Sequence, residues 1–434
     1  MDSLFLSEDA DEVNGRFEAI LLGITAVFVF SNAISLSLVQ AGVVRWQHIW
    51  PPLVWLSIIG TAYFLLHKFR PFHDPYLLPL LALLTGWGVV LLDRLAPNFL
   101  GRQLVWLLLG TAVFTLITIL PTNLRWLRQY RYSWLTAGLL LLAATLLFGV
   151  NPSGFGSANY WLQIPLLRSV FFQPSELLKI LLIIFLASYF GERESLLRLK
   201  QGNGRFGILP YLAPLLLMWG FCMILLVWQQ DLGAATLFFI LFLGLLYVAT
   251  QDVRYVLGGL ILLIAGGIFA YFTFDVVALR IDAWWNPWPD ADGRAFQIVQ
   301  SLYAVAAGGI LGQGIGQGFP DYIPVVHSDF AFAAIAEEWG LIGSLTVIAC
   351  FALLAHRGLR IAILAKRPFY KYLAAGISIL FSAQAFLIMG GVTRLLPLTG
   401  VTLPFVSYGG SSMLISHIMA GLLLYMSTER DLAS

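Results

Sequence analysis

Residues 308–340 read GGILGQGIGQGFPDYIPVVHSDFAFAAIAEEWG. A glycine-rich run ends in His327, Ser328 and Asp329, and the apolar stretch that follows carries Glu337 and Glu338. Ionisable groups in or beside hydrocarbon are costly and are read first as functional. A carboxylate at a low-dielectric boundary can be tuned as a general base, which makes Asp329 the leading candidate for chemistry. A structural reading competes. Ser328 could cap the helix that starts here, and Asp329 would suit its positive end. Gly308, Gly309, Gly312, Gly314, Gly316 and Gly318 allow close backbone approach or positive φ. Such loops can cradle phosphate through N–H groups. No Lys-Ser/Thr follows, which argues against a nucleotide P-loop, and a re-entrant turn is the plain alternative.

Other clusters could join this one. Arg280 precedes Trp284-Trp285-Asn286-Pro287-Trp288-Pro289, then Asp290, Asp292 and Arg294. The tryptophans would suit an interfacial belt. At 172–179, FQPSELLK sets Glu176 and Lys179 three apart, on one helix face, where they can pair. An unpaired cation a turn into hydrocarbon is costly, so the pair reads as packing or as chemistry. Trp161, upstream, could stack on a sugar. The segment 394–412, RLLPLTGVTLPFVSYGGSS, breaks helices at membrane depth. Such breaks survive only where they are buried in protein or line a cavity. Ser407, Tyr408, Ser411 and Ser412 could satisfy the freed backbone or line that cavity. No His/Cys cluster has metal-ligand spacing.

These groups need a frame, and composition names it. The 434 residues are 59% apolar and 11% charged, with mean hydropathy +0.84. The bilayer must be the solvent. Cys222 and Cys350 sit in apolar runs, which excludes a disulfide framework. The acidic start (Asp2, Glu8, Asp9, Asp11, Glu12) lacks the basic n-region of a secretory peptide. Spanning runs fall near 17–43, 50–66, 77–93, 103–120, 134–149, 171–190, 208–228, 232–250, 255–274, 329–355, 371–392 and 402–426, about twelve helices in an all-α polytopic fold. With both termini inside, 17 Lys and Arg face the cytoplasm and 7 face out, with Lys179 inside a helix. The positive-inside rule therefore places loop 275–328 and Asp329 outside. No internal repeat is evident, which counts against an inverted-repeat transporter.

Taken together, the motifs resemble the SEDS (shape, elongation, division and sporulation) family of the RodA/FtsW type. The resemblance rests on FQPSE-x-x-K at 172–179, QxDLG at 229–233 and Arg280 followed by Asn-Pro and Gln297/Gln300-Ser301. It continues in P-x-x-H-S-D-F at 324–330, AEEWG at 336–340 and LP-x-TGVTLPFVSYGGSS at 396–412. It spans roughly residues 75–428. Residues 1–74, an acidic tail and two extra helices, stand apart from the family core at 75–434. Gln230, Tyr160, Val325 and Ile388 depart from the residues usual in the family.

The resemblance implies a peptidoglycan glycosyltransferase of the bacterial cytoplasmic membrane that polymerises lipid II on the outer face. It implies a class B penicillin-binding protein as partner, alongside other elongasome or divisome membrane proteins, and no nucleic acid. Asp329 falls on the family's critical acid, Glu176 and Lys179 on its paired acid and lysine, and Arg280 on its loop arginine. Asp329 would act as base. Arg280, Arg294, Lys179 or a divalent cation (Mg or Mn) would bear the pyrophosphate charge. Trp161, His327, Ser328, Ser407 and Tyr408 would line the substrate site. The rival classes are a lipid-precursor flippase or transporter and a non-catalytic scaffold of the cell-wall machinery.

Overall fold

The computed structural model describes residues 2–120, 124–151, 160–164, 167–199 and 209–428. Lys200, Arg205 and Arg430, three of the basic residues counted above, lie outside the described residues. In chain order the elements are α1 (Asp2–Ala41), α2 (Trp46–Phe69), α3 (Leu77–Leu95), α4 (Pro97–Ile119), α5 (Arg125–Gln129), α6 (Arg131–Phe148), β1 (Leu162–Ile164), β2 (Leu167–Phe172) and α7 (Pro174–Leu199). They continue with α8 (Leu209–Trp228), α9 (Leu232–Thr250), α10 (Val253–Thr273), α11 (Asp275–Trp285), α12 (Phe296–Gly308), α13 (Ala331–Leu364), α14 (Pro368–Val392) and α15 (Gly410–Thr428). Among the described residues, eleven helices are long and apolar enough to cross a membrane, and Leu212–Trp228 is a shorter apolar helix. These match the twelve expected runs one for one.

Among the differences from expectation, three bear on the site. The sixth run starts not at 171 but at Pro174, because residues 167–172 form a strand paired antiparallel with 162–164. Pro174 at the helix start has no N–H to lose there. The tenth run is one helix interrupted at Gly340 (φ 65, ψ −158). The last helix starts at Gly410 rather than 402, because Pro404 and positive φ at Phe405 hold the preceding backbone irregular.

The chain forms two compact units. The first comprises Met1–Pro121, Asp282–Arg357 and Gln384–Ser434; the second, Thr122–Ile281 and Gly358–Ala383. In the first, α3 is the central helix, with 89% of its spanning window buried. It packs with α1, α2 and α4, and α15 lies along α4. Val29 and Leu36 of α1 and Trp55, Ile58 and Ile59 of α2 share one core with Leu104, Leu107, Ile315 and Met413. The two N-terminal helices are therefore built into this unit. In the second, α7 is central, also 89% buried over its window, and packs with α6, α8 and α9. At the other extreme, α10 packs chiefly on α9, and only 6% of its window is buried. In a soluble protein that apolar surface would be a liability; in a bilayer it faces lipid.

Candidate active site

In the first unit, Asp329 ends a series of turns that begins at Ile323. Val326 N–H donates to the Ile323 carbonyl (3.2 Å) and Ser328 N–H to that of Val325 (3.1 Å). Val325 has φ 57, an outlier for a β-branched residue and a point of backbone strain. The carbonyl of Phe330 opens α13 by accepting from Ala333 N–H at 2.9 Å. Ser328 is therefore not the helix cap. Its hydroxyl instead lies 3.0 Å from Asp329 Oδ1 and 3.3 Å from the Val325 carbonyl. Asp329 is half-buried.

The irregular segment before α15 holds this turn. Tyr408 N–H donates to the His327 carbonyl (2.9 Å). Ser407 Oγ donates to the Ser328 carbonyl (2.5 Å) and accepts from Leu403 N–H (3.0 Å). The segment packs closely enough on α3 that a Cβ at Gly88 would sit 2.5 Å from the Val406 carbonyl oxygen. Its freed backbone is satisfied from within, as when Gln384 donates to the Thr402 carbonyl (2.7 Å). His327 stacks on Phe99 of α4 at 5.3 Å, and Phe99 meets Tyr408 at 4.8 Å. Burial lowers the His327 pKa, which keeps the ring neutral at pH 7. Burial raises that of Tyr408 against the opposing charge and hydrogen bond of Arg102. Sequence reading missed Phe99 and Arg102; neither lies in a recognisable motif. Arg294 is exposed, and its backbone N–H donates to Asp290 Oδ2 at 3.1 Å.

The glycine loop has a structural task. Gly340 breaks α13, and the loop supplies the missing partners. Gln313 N–H donates to the Glu337 carbonyl (2.9 Å), Gly314 N–H to that of Glu338 (3.0 Å), and Leu341 N–H to that of Gly309 (2.9 Å). A Cβ on Gly312 would sit 2.2 Å from the Glu338 carbonyl oxygen, so only glycine fits. The N–H groups of 313 and 314 are thus committed to the helix and are not a phosphate cradle. The two glutamates also clamp the loop. Glu337 Oε1 accepts from Phe319 N–H (2.8 Å), and Glu338 Oε1 from Gly316 N–H (3.1 Å). Arg94 ties the set together by donating to Glu338 (3.3 Å), Asp321 (2.9 Å) and the Gly318 carbonyl (3.1 Å).

In the second unit, Glu176 and Lys179 form the expected pair, at 2.7 Å, with both residues buried. Asp231, visible in the QxDLG motif without a role, is a third member. Asp231 accepts from Ala234 N–H as cap of α9 (3.1 Å), bonds Ser175, and lies in the fields of Lys179 and Glu176. Its sequence signal was the QxDLG motif at 229–233. Trp161 meets Tyr160 edge-on at 5.6 Å, and the Tyr160 hydroxyl donates to the Gln230 carbonyl (3.1 Å). The Tyr160 pKa is pushed up to about 12 by burial and by Asp231, with Arg280 opposing. Arg280, half-buried on α11, thus belongs to the same electrostatic cluster as Tyr160 and Asp231. The expected site residues fall into two sets: His327, Ser328, Asp329, Ser407, Tyr408 and Arg294 in the first unit, and Trp161, Glu176, Lys179 and Arg280 in the second.

Comparison with known proteins gives this arrangement a family. Residues 76–432 match the FtsW/RodA/SpoVE model, described as a cell cycle protein. The peptidoglycan glycosyltransferase RodA of Mycobacterium tuberculosis is 39% identical over 424 residues, 94% of this chain and 90% of that protein. One chain of a peptidoglycan synthase complex that coordinates polymerization and crosslinking superposes with TM-score 0.68 at 29% identity, covering 83% of this chain and 98% of its own. The rod shape determining protein RodA of Thermus thermophilus gives TM-score 0.59 at 26% identity, with the same coverages. This chain belongs to the FtsW/RodA/SpoVE family and is a multi-pass membrane glycosyltransferase of peptidoglycan synthesis.

Proposed function

We propose that the chain polymerises lipid II into glycan strands at the outer face of the cytoplasmic membrane, with Asp329 as general base. One observation carries this reading. The turn ending in Asp329 is fixed at two successive carbonyls, His327 and Ser328, by Tyr408 and Ser407, and the half-buried carboxylate is hydrogen-bonded by Ser328. A base held this way needs no ordering by substrate. In the reaction, a sugar hydroxyl oxygen bonds to C1 of a second sugar. The bond from C1 to the lipid pyrophosphate breaks, and the pyrophosphate leaves with the electron pair. Asp329 takes the hydroxyl proton.

The leaving charge calls for cations. Arg294 and Arg102, in the same unit as Asp329, are suited to the task, and the family resemblance offers Arg280 or Lys179 as alternatives. Glu176 holds Lys179, and Trp161 offers a ring for a sugar face. Among the described residues no three His, Cys, Asp or Glu side chains converge as metal ligands. A Mg or Mn ion at the pyrophosphate would be held by one or two carboxylates together with the phosphate oxygens and would supply charge neutralisation there. A class B penicillin-binding protein is the partner this reading implies, and the likeness to a synthase complex supports it.

Purified chain incubated with lipid II should give glycan polymer on a gel. Asp329→Asn should abolish the polymer while leaving the melting temperature unchanged, because the amide keeps size but cannot take a proton. Wild-type polymer from folded Asp329→Asn protein would sink the general-base assignment.

A further inference from the structure

The second unit contains a cavity of about 330 Å³ that includes none of the site residues above. Its walls come from α5, the later part of α7 and the start of α14, and it is lined by Arg125, Arg128 and Arg367 with Glu192, Gly191 and Tyr370 among others. Three cations face one acid, and that acid is already engaged: Glu192 lies 2.6 Å from Arg131 and 3.9 Å from Arg193. The next acid, Glu194, is paired with Lys371 at 2.8 Å. Arg125 and Arg128 have no ion pair among the described residues. Arg125 and Arg128 therefore give the wall a basic surface that Glu192 does not neutralise.

Its surroundings fix the level at which it opens. Trp126, Tyr130 and Tyr132, on the same stretch, are 44%, 52% and 42% exposed. Exposed amphipathic rings at a helix end mark the headgroup level of a bilayer. Beyond them α6 exposes Leu140, Leu141 and Leu147 towards lipid. An arginine fork matches phosphate oxygens in pairs, and basic pockets between membrane helices suit anionic headgroups. The volume is in the range of small-ligand sites.

We propose that this cavity binds a phosphate group, supplied by the headgroup of an anionic phospholipid whose acyl chains lie along the exposed face of α6. The inference is independent of the polymerase reading, since none of its residues has a role there. The test is native mass spectrometry of the purified full chain titrated separately with phosphatidylglycerol, phosphatidylcholine and inorganic phosphate.

Phosphatidylglycerol should bind in preference to phosphatidylcholine. R125Q/R128Q should weaken it about 30-fold, the equivalent of two basic contacts. Arg125 and Arg128 are exposed, and an unchanged melting temperature will verify that the variant folds. R254Q/R360Q, which neutralises two exposed arginines of the same unit away from the cavity, should have less than about threefold effect. Competition by inorganic phosphate that is lost in R125Q/R128Q would support a phosphate site. Equal weakening by both double variants, or no preference over phosphatidylcholine, would overturn the proposal. Inorganic phosphate binding without phosphatidylglycerol binding would overturn the lipid as source.

Discussion

Lys179 is 2% exposed, and its ammonium lies 2.7 Å from Glu176. Removing one partner of a buried pair strands the other, at a cost of about 3–5 kcal/mol. Lys179→Met should therefore lower the melting temperature sharply. In Glu176→Gln/Lys179→Met the damage should be less than the sum of the single changes, yet still substantial, because Asp231 also lies in the field of Lys179. Thermal melts of the four proteins measure the coupling, and strict additivity would mean that no pair exists. At this scale the sequence was half legible. Asp329 and the Glu176–Lys179 spacing stood out because charge is rare in an apolar chain. Asp231 was visible within QxDLG but carried no role, and Arg102 looked like one more basic residue at a helix end. Their roles depend on partners far away in the chain, such as Tyr408 for Arg102, which periodicity cannot supply.

The same limit holds for elements. Hydrocarbon thickness sets the length of a span, so the twelve runs were visible. The pairing of β1 with β2 was not legible: the residues before 171 read as a loop, and only the last two strand residues fell in the apolar run that starts there. The break at Gly340 was invisible because its cause, the loop 309–314, is brought in by tertiary packing. Gly340→Ala should be severe: φ is +65, and the added Cβ would sit 2.3 Å from Gly312 N. Expelling the loop would free the 308–318 segment for proteolysis and abolish polymer formation with Asp329 untouched. A protease-resistant, active Gly340→Ala protein would contradict the clamp. The N-terminal helices offer a pH test. His73 Nδ1 lies 2.7 Å from the Arg70 carbonyl, and Nε2 lies 3.0 Å from Glu18 of α1. Burial alone would lower the His73 pKa, but the Glu18 hydrogen bond and charge outweigh it, and the value is raised. A raised folded pKa gives stability that is full below the unfolded value, near 6.5, and is lost as pH rises through the folded value. Wild type should therefore lose more melting temperature than Glu18→Gln between about pH 6 and about pH 9. Parallel loss in both would show that the pair contributes nothing.

For the whole molecule, the testable quantity is orientation. The 17-to-7 basic asymmetry expects loop 275–328 outside and the α13–α14 connection inside. Both natural cysteines are buried and free, so they can be replaced by alanine. Single cysteines at Asp292 and Lys366, both exposed, should then differ on intact cells. An impermeant thiol reagent should label position 292 and spare 366. The reverse pattern would put Asp329 in the cytoplasm, where flipped lipid II cannot reach it. Helix α10 packs chiefly on α9. Gly259 is its one buried residue, seated where a Cβ would meet Leu243 at 2.4 Å. Its 21 residues rise about 31 Å, close to one leaflet pair of acyl chains. Held on one side only, it is free to tilt where its bundled neighbours are not. In a thinner bilayer α10 should be the first element to lean, making hydrophobic mismatch a local strain on the α9 contact rather than a load shared by the bundle.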